Sequence, residues 1–156
     1  MRSAKIRKAS IEDVDSIVDL WKKLSVDQLS KDPYYKGKID FGDEKTTFLN
    51  AIKNPKCCIF VAESENKVIG FIEIWLKEKD FYFFIDDYAY ILHCFVEEEF
   101  RNYKLTRRLF LAAENWAKEN DAKYLQADVF QHNSRVIEGL RYLGLLSYRT
   151  RLVKPI

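Results

Sequence analysis

The chain has 156 residues, of which 47% are hydrophobic, 15% aromatic and 32% charged, with 26 basic and 24 acidic side chains. That is the size of one ordinary domain, 1–156, with apolar mass to offset the entropy of ordering. Disordered, collagen-like, low-complexity and repeat architectures are excluded. A net charge of +2 is too balanced to imply a nucleic-acid or membrane partner by itself.

Met1 to Ser10 carries four cations but leads into a stretch containing Glu12, Asp13, Asp15 and Asp19, unlike the apolar core of a signal peptide. With no apolar run near the roughly 18 residues a bilayer requires, no membrane association is expected, and the expected location is the cytoplasm. Lys5 to Ala9 reads as a short strand. Ser10 with Asp13 resembles a capping box, and Ile11, Val14, Ile17, Val18 and Trp21 follow at helical spacing, predicting a helix to about Ser25. Gln28 to Gly42, with Asp32-Pro33-Tyr34-Tyr35, breaks the period and reads as a partly helical loop. A second helix fits Asp43 to Lys53, closed by Asn54-Pro55.

Cys57 to Glu63 and Lys67 to Leu76 are apolar runs separated by Ser64-Glu65-Asn66, which predicts an antiparallel hairpin. Three cysteines, two of them adjacent, write no disulfide framework and suit no metal site, so reduced, packed thiols are expected. Tyr88 to Val96, apolar on both faces apart from His93, reads as the buried centre of a sheet. Leu105 to Glu119 has a strong helical stripe. Tyr124 to Val129 reads as a strand, Asn133 to Leu143 as a helix ended by Gly144, and Leu146 to Val153 as a last strand. This order predicts a mixed sheet with helices on both faces.

The chemistry concentrates in Phe95 to Leu109, F-V-E-E-E-F-R-N-Y-K-L-T-R-R-L, where a strand runs into a helix. A helix N-terminus attracts anions, and Arg101, Lys104, Arg107 and Arg108 add four cations there. Either an anionic ligand compensates them or Glu97, Glu98 and Glu99 do, in a solvated ion network.

This segment resembles motif A of the GNAT superfamily of N-acetyltransferases, in which a strand ending in Val is followed by a short acidic or Pro-containing turn and R/Q-x-x-G-x-G/A entering a helix. Val96, Glu98-Glu99, Phe100 and Arg101 fall in register, with Leu105 and Leu109 at the apolar positions. Three further stretches resemble the family in the same order. I-R-K-A-S-I-E-D-V-D-S-I-V-D-L-W is similar to its first strand and helix, and K-V-I-G-F-I-E-I-W to its third strand. N-S-R-V-I-E-G-L-R-Y-L-G-L is similar to N-x-x-A-x-x-x-Y-x-x-x-G-F.

The resemblance implies a GNAT-like mixed, mostly antiparallel central sheet flanked by helices on both faces. It further implies acetyl transfer from acetyl-CoA, as co-substrate, to a primary amine of a small molecule or protein, by direct attack in a ternary complex. No metal is implied, and a homodimer is. In such proteins the central strands splay and pantetheine lies between them like an extra strand. Carried over, the backbone of Arg101, Asn102, Tyr103, Lys104, Leu105 and Thr106 would hold the pyrophosphate and Asn133 the pantetheine arm. Amides near Phe95 and Val96 would polarise the thioester carbonyl.

Two departures stand out. Lys104 and Thr106 occupy the places of motif A glycines, where close backbone approach favours a missing side chain. Leu140 occupies the place of the tyrosine that serves as general acid. Tyr142 is the remaining tyrosine candidate, although it lies about 200° further round a helix and cannot simply substitute. Expelling a thiolate of pKa about 8.5 at pH 7 costs about 2 kcal/mol, whereas deprotonating an ammonium of pKa about 10.4 costs about 4.6, so the base matters more than the acid.

The candidate bases or relays are Glu73 and His93, each a polar exception in an apolar strand. His93 could instead be a hydrogen-bonded core residue, and Glu73 could instead pair with a neighbouring cation or face water at an exposed sheet face. The run Phe81-Tyr82-Phe83-Phe84 and Tyr34-Tyr35 suit either packing or the wall of an acceptor pocket. The rival readings are a catalytically inactive GNAT-fold module that binds CoA or a protein partner, and a nucleic-acid binder. The second uses the C-terminal end, where Arg135, Arg141, Arg149, Arg151 and Lys154 face Glu138 alone.

Overall fold

The computed structural model describes residues 4–32, 43–79, 86–101 and 103–154. The chain runs β1 (Lys5–Lys8), α1 (Val14–Lys31), α2 (Glu44–Lys53), β2 (Cys57–Ser64), β3 (Lys67–Lys79), β4 (Asp86–Val96), α3 (Tyr103–Glu119), β5 (Tyr124–Ala127) and α4 (Ser134–Tyr142). The five strands lie in the order β1-β2-β3-β4-β5, antiparallel except for the parallel β4–β5 pair. A mixed, mostly antiparallel sheet is formed, as the sequence led one to expect.

The alternation of β2 explains the layering. Cys57, Ile59 and Val61 point to one face, where they meet Val14, Ile17 and Phe48 of α1 and α2; Cys58, Phe60 and Ala62 point to the other, against Leu109 and Ala113 of α3. Helices therefore cover both faces. The hairpin between β2 and β3 closes on Glu65 and Asn66, at φ 51° and 62°, the type I′ turn whose twist matches that of the flanking strands. All three cysteines are free; burial pushes Cys58 up to about 11, Cys94 up to about 12 and Cys57 higher still, so they stay neutral thiols.

Three expectations need correction. The first helix continues past Ser25 to Lys31: no breaker intervenes, Lys31 pairs with Asp27 at 2.6 Å, and Asp32 turns extended before Pro33. β4 is not the central strand; β3 is, and Leu92 of β4 is 47% exposed. Leu146 to Val153 forms no strand, and Leu146 and Leu152 are 84% and 88% exposed. Its alternating pattern meets no ladder, because β5 is four residues long and pairs with β4. Much of the expected loop before α2, with Tyr34-Tyr35, and the run Phe81 to Phe84 lie outside the described residues, as does Asn102. Among the described residues, no helix is long and apolar enough to cross a membrane, and no group of His, Cys, Asp and Glu could hold a metal.

Candidate active site

Period two in β3 puts Phe71, Glu73 and Trp75 on the α1–α2 face of the sheet. Glu73 is 3% exposed there, and a buried carboxylate is tolerable only when its oxygens are bonded. Oε1 accepts the Trp75 indole N–H at 2.6 Å, and Oε2 lies 2.7 Å from His93 Nδ1. The two residues face each other because β4 carries one extra residue, Leu92, between the pairs Glu73↔His93 and Ile74↔Ile91. The bulge turns Leu92 and His93 to the same side as Phe95 and shifts the register of the pairs beyond.

His93 Nε2 lies 3.3 Å from Trp21 Nε1 of α1, and an indole nitrogen can only donate. Nε2 therefore carries the lone pair and Nδ1 the proton, which it donates to Glu73 Oε2. Trp21 and Phe48 pack edge-on and tilted against the imidazole, with ring centroids 6.3 and 6.5 Å away. The result is a neutral histidine oriented by a buried carboxylate, with its free-base nitrogen held by a single displaceable donor.

Beyond the cover of α1 and α2, the same face opens into a cavity of about 440 Å³ lined by Trp75, Lys77, Tyr88, Tyr90, Leu92 and Asp128. Neither Glu73 nor His93 lines it, but Trp75, which bonds Glu73, and Leu92, which precedes His93 in β4, both do. Tyr90 donates its O–H to Asp128 Oδ2 at 3.0 Å. Burial, and then the Asp128 carboxylate, push the phenol up to about 12, so it remains a donor at neutral pH.

On the edge of β4 facing β5, the parallel ladder covers only Tyr88 to Ile91. Among the described residues, the segment from Cys94 to Val96 has no ladder partner on that side. Glu97 N–H bonds Ile69 O, so by antiparallel alternation His93 and Phe95 turn their amides to β3 while Cys94 and Val96 turn theirs to the open side. The outward carbonyl of Val96 accepts Arg101 Nε at 2.9 Å, and the Arg101 guanidinium lies 5.2 Å over the buried Phe95 ring. Arg101 is thus folded back over the end of β4.

In the opening turn of α3, which starts at Tyr103, Leu105 is buried while Lys104, Thr106 and Arg107 are exposed. Arg108 is drawn off to the Ala4 carbonyl at 2.8 Å, and Glu97 to Lys23 at 2.5 Å, so neither belongs to a single cationic or acidic cluster. Asn133 caps α4 with its carbonyl, to the Val136 and Ile137 amides, and its side chain makes no cap bond. Leu140 packs into the core on the α3 face, which leaves Tyr142 76% exposed, opposite to Leu140 and on the far face of the sheet from Glu73 and His93.

Sequence reasoning missed five residues of this site. Trp75 was legible, two residues from Glu73 on one strand face. Trp21 and the Tyr90–Asp128 pair meet only through tertiary packing, and the Cys94 amide needs the ladder parity.

A family model described as acetyltransferase (GNAT) family matches residues 19–144. The chain belongs to the GNAT acetyltransferase family. Comparison with curated protein sequences gave no match. Among solved structures, this GNAT chain resembles a tetramutant of the BH1408 protein from Bacillus halodurans, with a TM-score of 0.85 at 19% identity, covering 97% of this chain and 99% of that one. It resembles the aminoglycoside N-acetyltransferase AAC(6')-Iy in complex with CoA, at 0.79 and 15%, over 100% and 96% of the two chains. It also resembles a predicted acetyltransferase from Clostridium acetobutylicum with acetyl-CoA, at 0.77 and 17%, over 98% and 96%. At these identities the likeness is one of fold.

Proposed function

We propose that the protein transfers the acetyl group of acetyl-CoA to a primary amine by direct attack in a ternary complex. The observation that carries this reading is the hydrogen-bonded Glu73–His93 pair, at 2.7 Å, at the point where β4 loses its partner strand. The open edge beyond Ile91 supports a place for the pantetheine arm, with Cys94 and Val96 amides available to it and Asn133 within the α4 cap. The exposed Lys104, Thr106 and Arg107 around the start of α3 suit a diphosphate, and Arg101 would reach it by leaving the Val96 carbonyl.

The acceptor enters as an ammonium beside His93. Trp21 releases Nε2, which takes the proton, and the Glu73 carboxylate stabilises the imidazolium formed. The freed amine lone pair then attacks the thioester carbonyl carbon while an outward amide of β4 polarises its oxygen. A C–N bond forms, the C–S bond breaks, and the thiolate leaves with the sulfur electron pair. The amide nitrogen and the imidazolium give up their protons to the thiolate and to water. No acid is assigned to Tyr142, and an unassisted thiolate costs only about 2 kcal/mol at neutral pH.

The test is calorimetric titration with acetyl-CoA and CoA, followed by thiol release with polyamines, amino acids, peptide N-termini and aminoglycosides. Micromolar acetyl-CoA binding with amine-dependent release supports the reading, and absence of binding overturns it. Lys104 in place of a glycine and Leu140 in place of the tyrosine favour one second reading, a CoA-binding module without turnover, which binding without release would support.

A further inference from the structure

The cavity meets the Glu73–His93 pair through its lining: Trp75 donates to Glu73, and Leu92 precedes His93 in β4. The same lining holds Asp128, whose carboxylate receives a hydrogen bond from a neutral phenol, Tyr90, and no ion pair among the described residues. The rings of Trp75, Tyr88 and Tyr90 belong to the same wall.

We propose, resting on the transferase reading, that this cavity selects an amine carrying a second cationic group, with the reacting nitrogen at His93 and the second cation at Asp128. Three features support that charge. Aromatic faces attract cations, and the chain already demonstrates it here: Lys77 Nζ stands 5.7 Å over the Trp75 ring. Tyr90 keeps its proton, so it spends its hydrogen on Asp128 Oδ2, holds that carboxylate toward the cavity, and leaves the other oxygen for a ligand. The chain's cations at the margin stand over rings, Lys77 as above and Arg149 at 5.3 Å over Tyr148, and the Arg149 charge also acts on Tyr90. A cavity of about 440 Å³ is of ordinary ligand size.

A carboxylate-bearing amine is the competing occupant, since Lys77 could pair with it. Calorimetry separates the two with three probes of equal chain length, 1,4-diaminobutane, n-butylamine and 4-aminobutanoate, titrated into the full chain and into D128N. Asparagine keeps an acceptor for the Tyr90 hydroxyl at an exposed position, and the variant should bind CoA as the parent does. The proposal expects 1,4-diaminobutane to bind at least tenfold more tightly than either other amine, and D128N to bring it to within about threefold of n-butylamine. Equal affinities, tighter binding of 4-aminobutanoate, or a diamine preference that survives D128N overturns it. Thiol release from acetyl-CoA, followed in parallel, reports separately on the transferase reading: release that favours no diamine sinks the specificity alone, whereas Asp128-dependent diamine binding without release sinks the transferase assignment alone.

Discussion

Glu73 is buried to 3% exposure, yet both its oxygens are occupied, one by an indole and one by an imidazole. The second indole, from Trp21, completes the chain by fixing which imidazole nitrogen is free. Glu73 and His93 were legible in the sequence because each interrupts an apolar strand. That they touch was not legible, since it depends on a one-residue bulge at Leu92 that leaves no local signature. Arg101 was legible as part of a cationic cluster, but not that its side chain folds back to Val96. If it swings out to a diphosphate, R101E replaces an attraction with a repulsion, and calorimetry should show CoA affinity falling at least about tenfold. An unchanged affinity removes Arg101 from the site.

At the scale of elements, two junctions hold the site's frame. The first joins β1 to α1. Asp13 accepts a two-pronged bond from Arg7 at 2.7 and 2.9 Å, and the Ser10 amide at 2.7 Å, so the capping box read from the sequence is also a charged staple. The Arg7 guanidinium, against the opposing effect of burial, and then Ser10 hold the Asp13 carboxyl down to about 2 from its ordinary 3.8. A lowered carboxyl stabilises the fold above the unfolded value and loses that contribution as pH falls from about 4 to about 2. D13N should therefore cost about 2 kcal/mol in urea unfolding at pH 7, with the gap to the parent closing through that acid window. The second junction is the contact of β3 with the end of β4. A Cβ at Gly70 would sit 2.9 Å from the Phe95 carbonyl oxygen and 3.0 Å from a Val96 methyl. G70A must push the two strands apart just where the Val96 amide faces the open edge, so urea unfolding should show a loss of about 2 kcal/mol. The strand expected at Leu146 to Val153 failed for a related reason: a strand pattern without a partner edge is only a pattern.

At the scale of the molecule, composition and element order sufficed for a mixed sheet with helices on both faces, because alternation and helical stripes are local signals. The order of strands was not local, and it moved the centre from β4 to β3 and left the far part of β4 open. That opening, the buried carboxylate–histidine pair beside it, and the cavity on the helix-covered face together make the account of an acetyl transfer. The most direct test is thiol release from acetyl-CoA with a reactive amine, measured for the parent and for E73Q, with CoA affinity measured for both. The account predicts amine-dependent release by the parent, a fall of about 10²-fold or more in E73Q, and the same CoA affinity in each. Equal release by E73Q and the parent would contradict it.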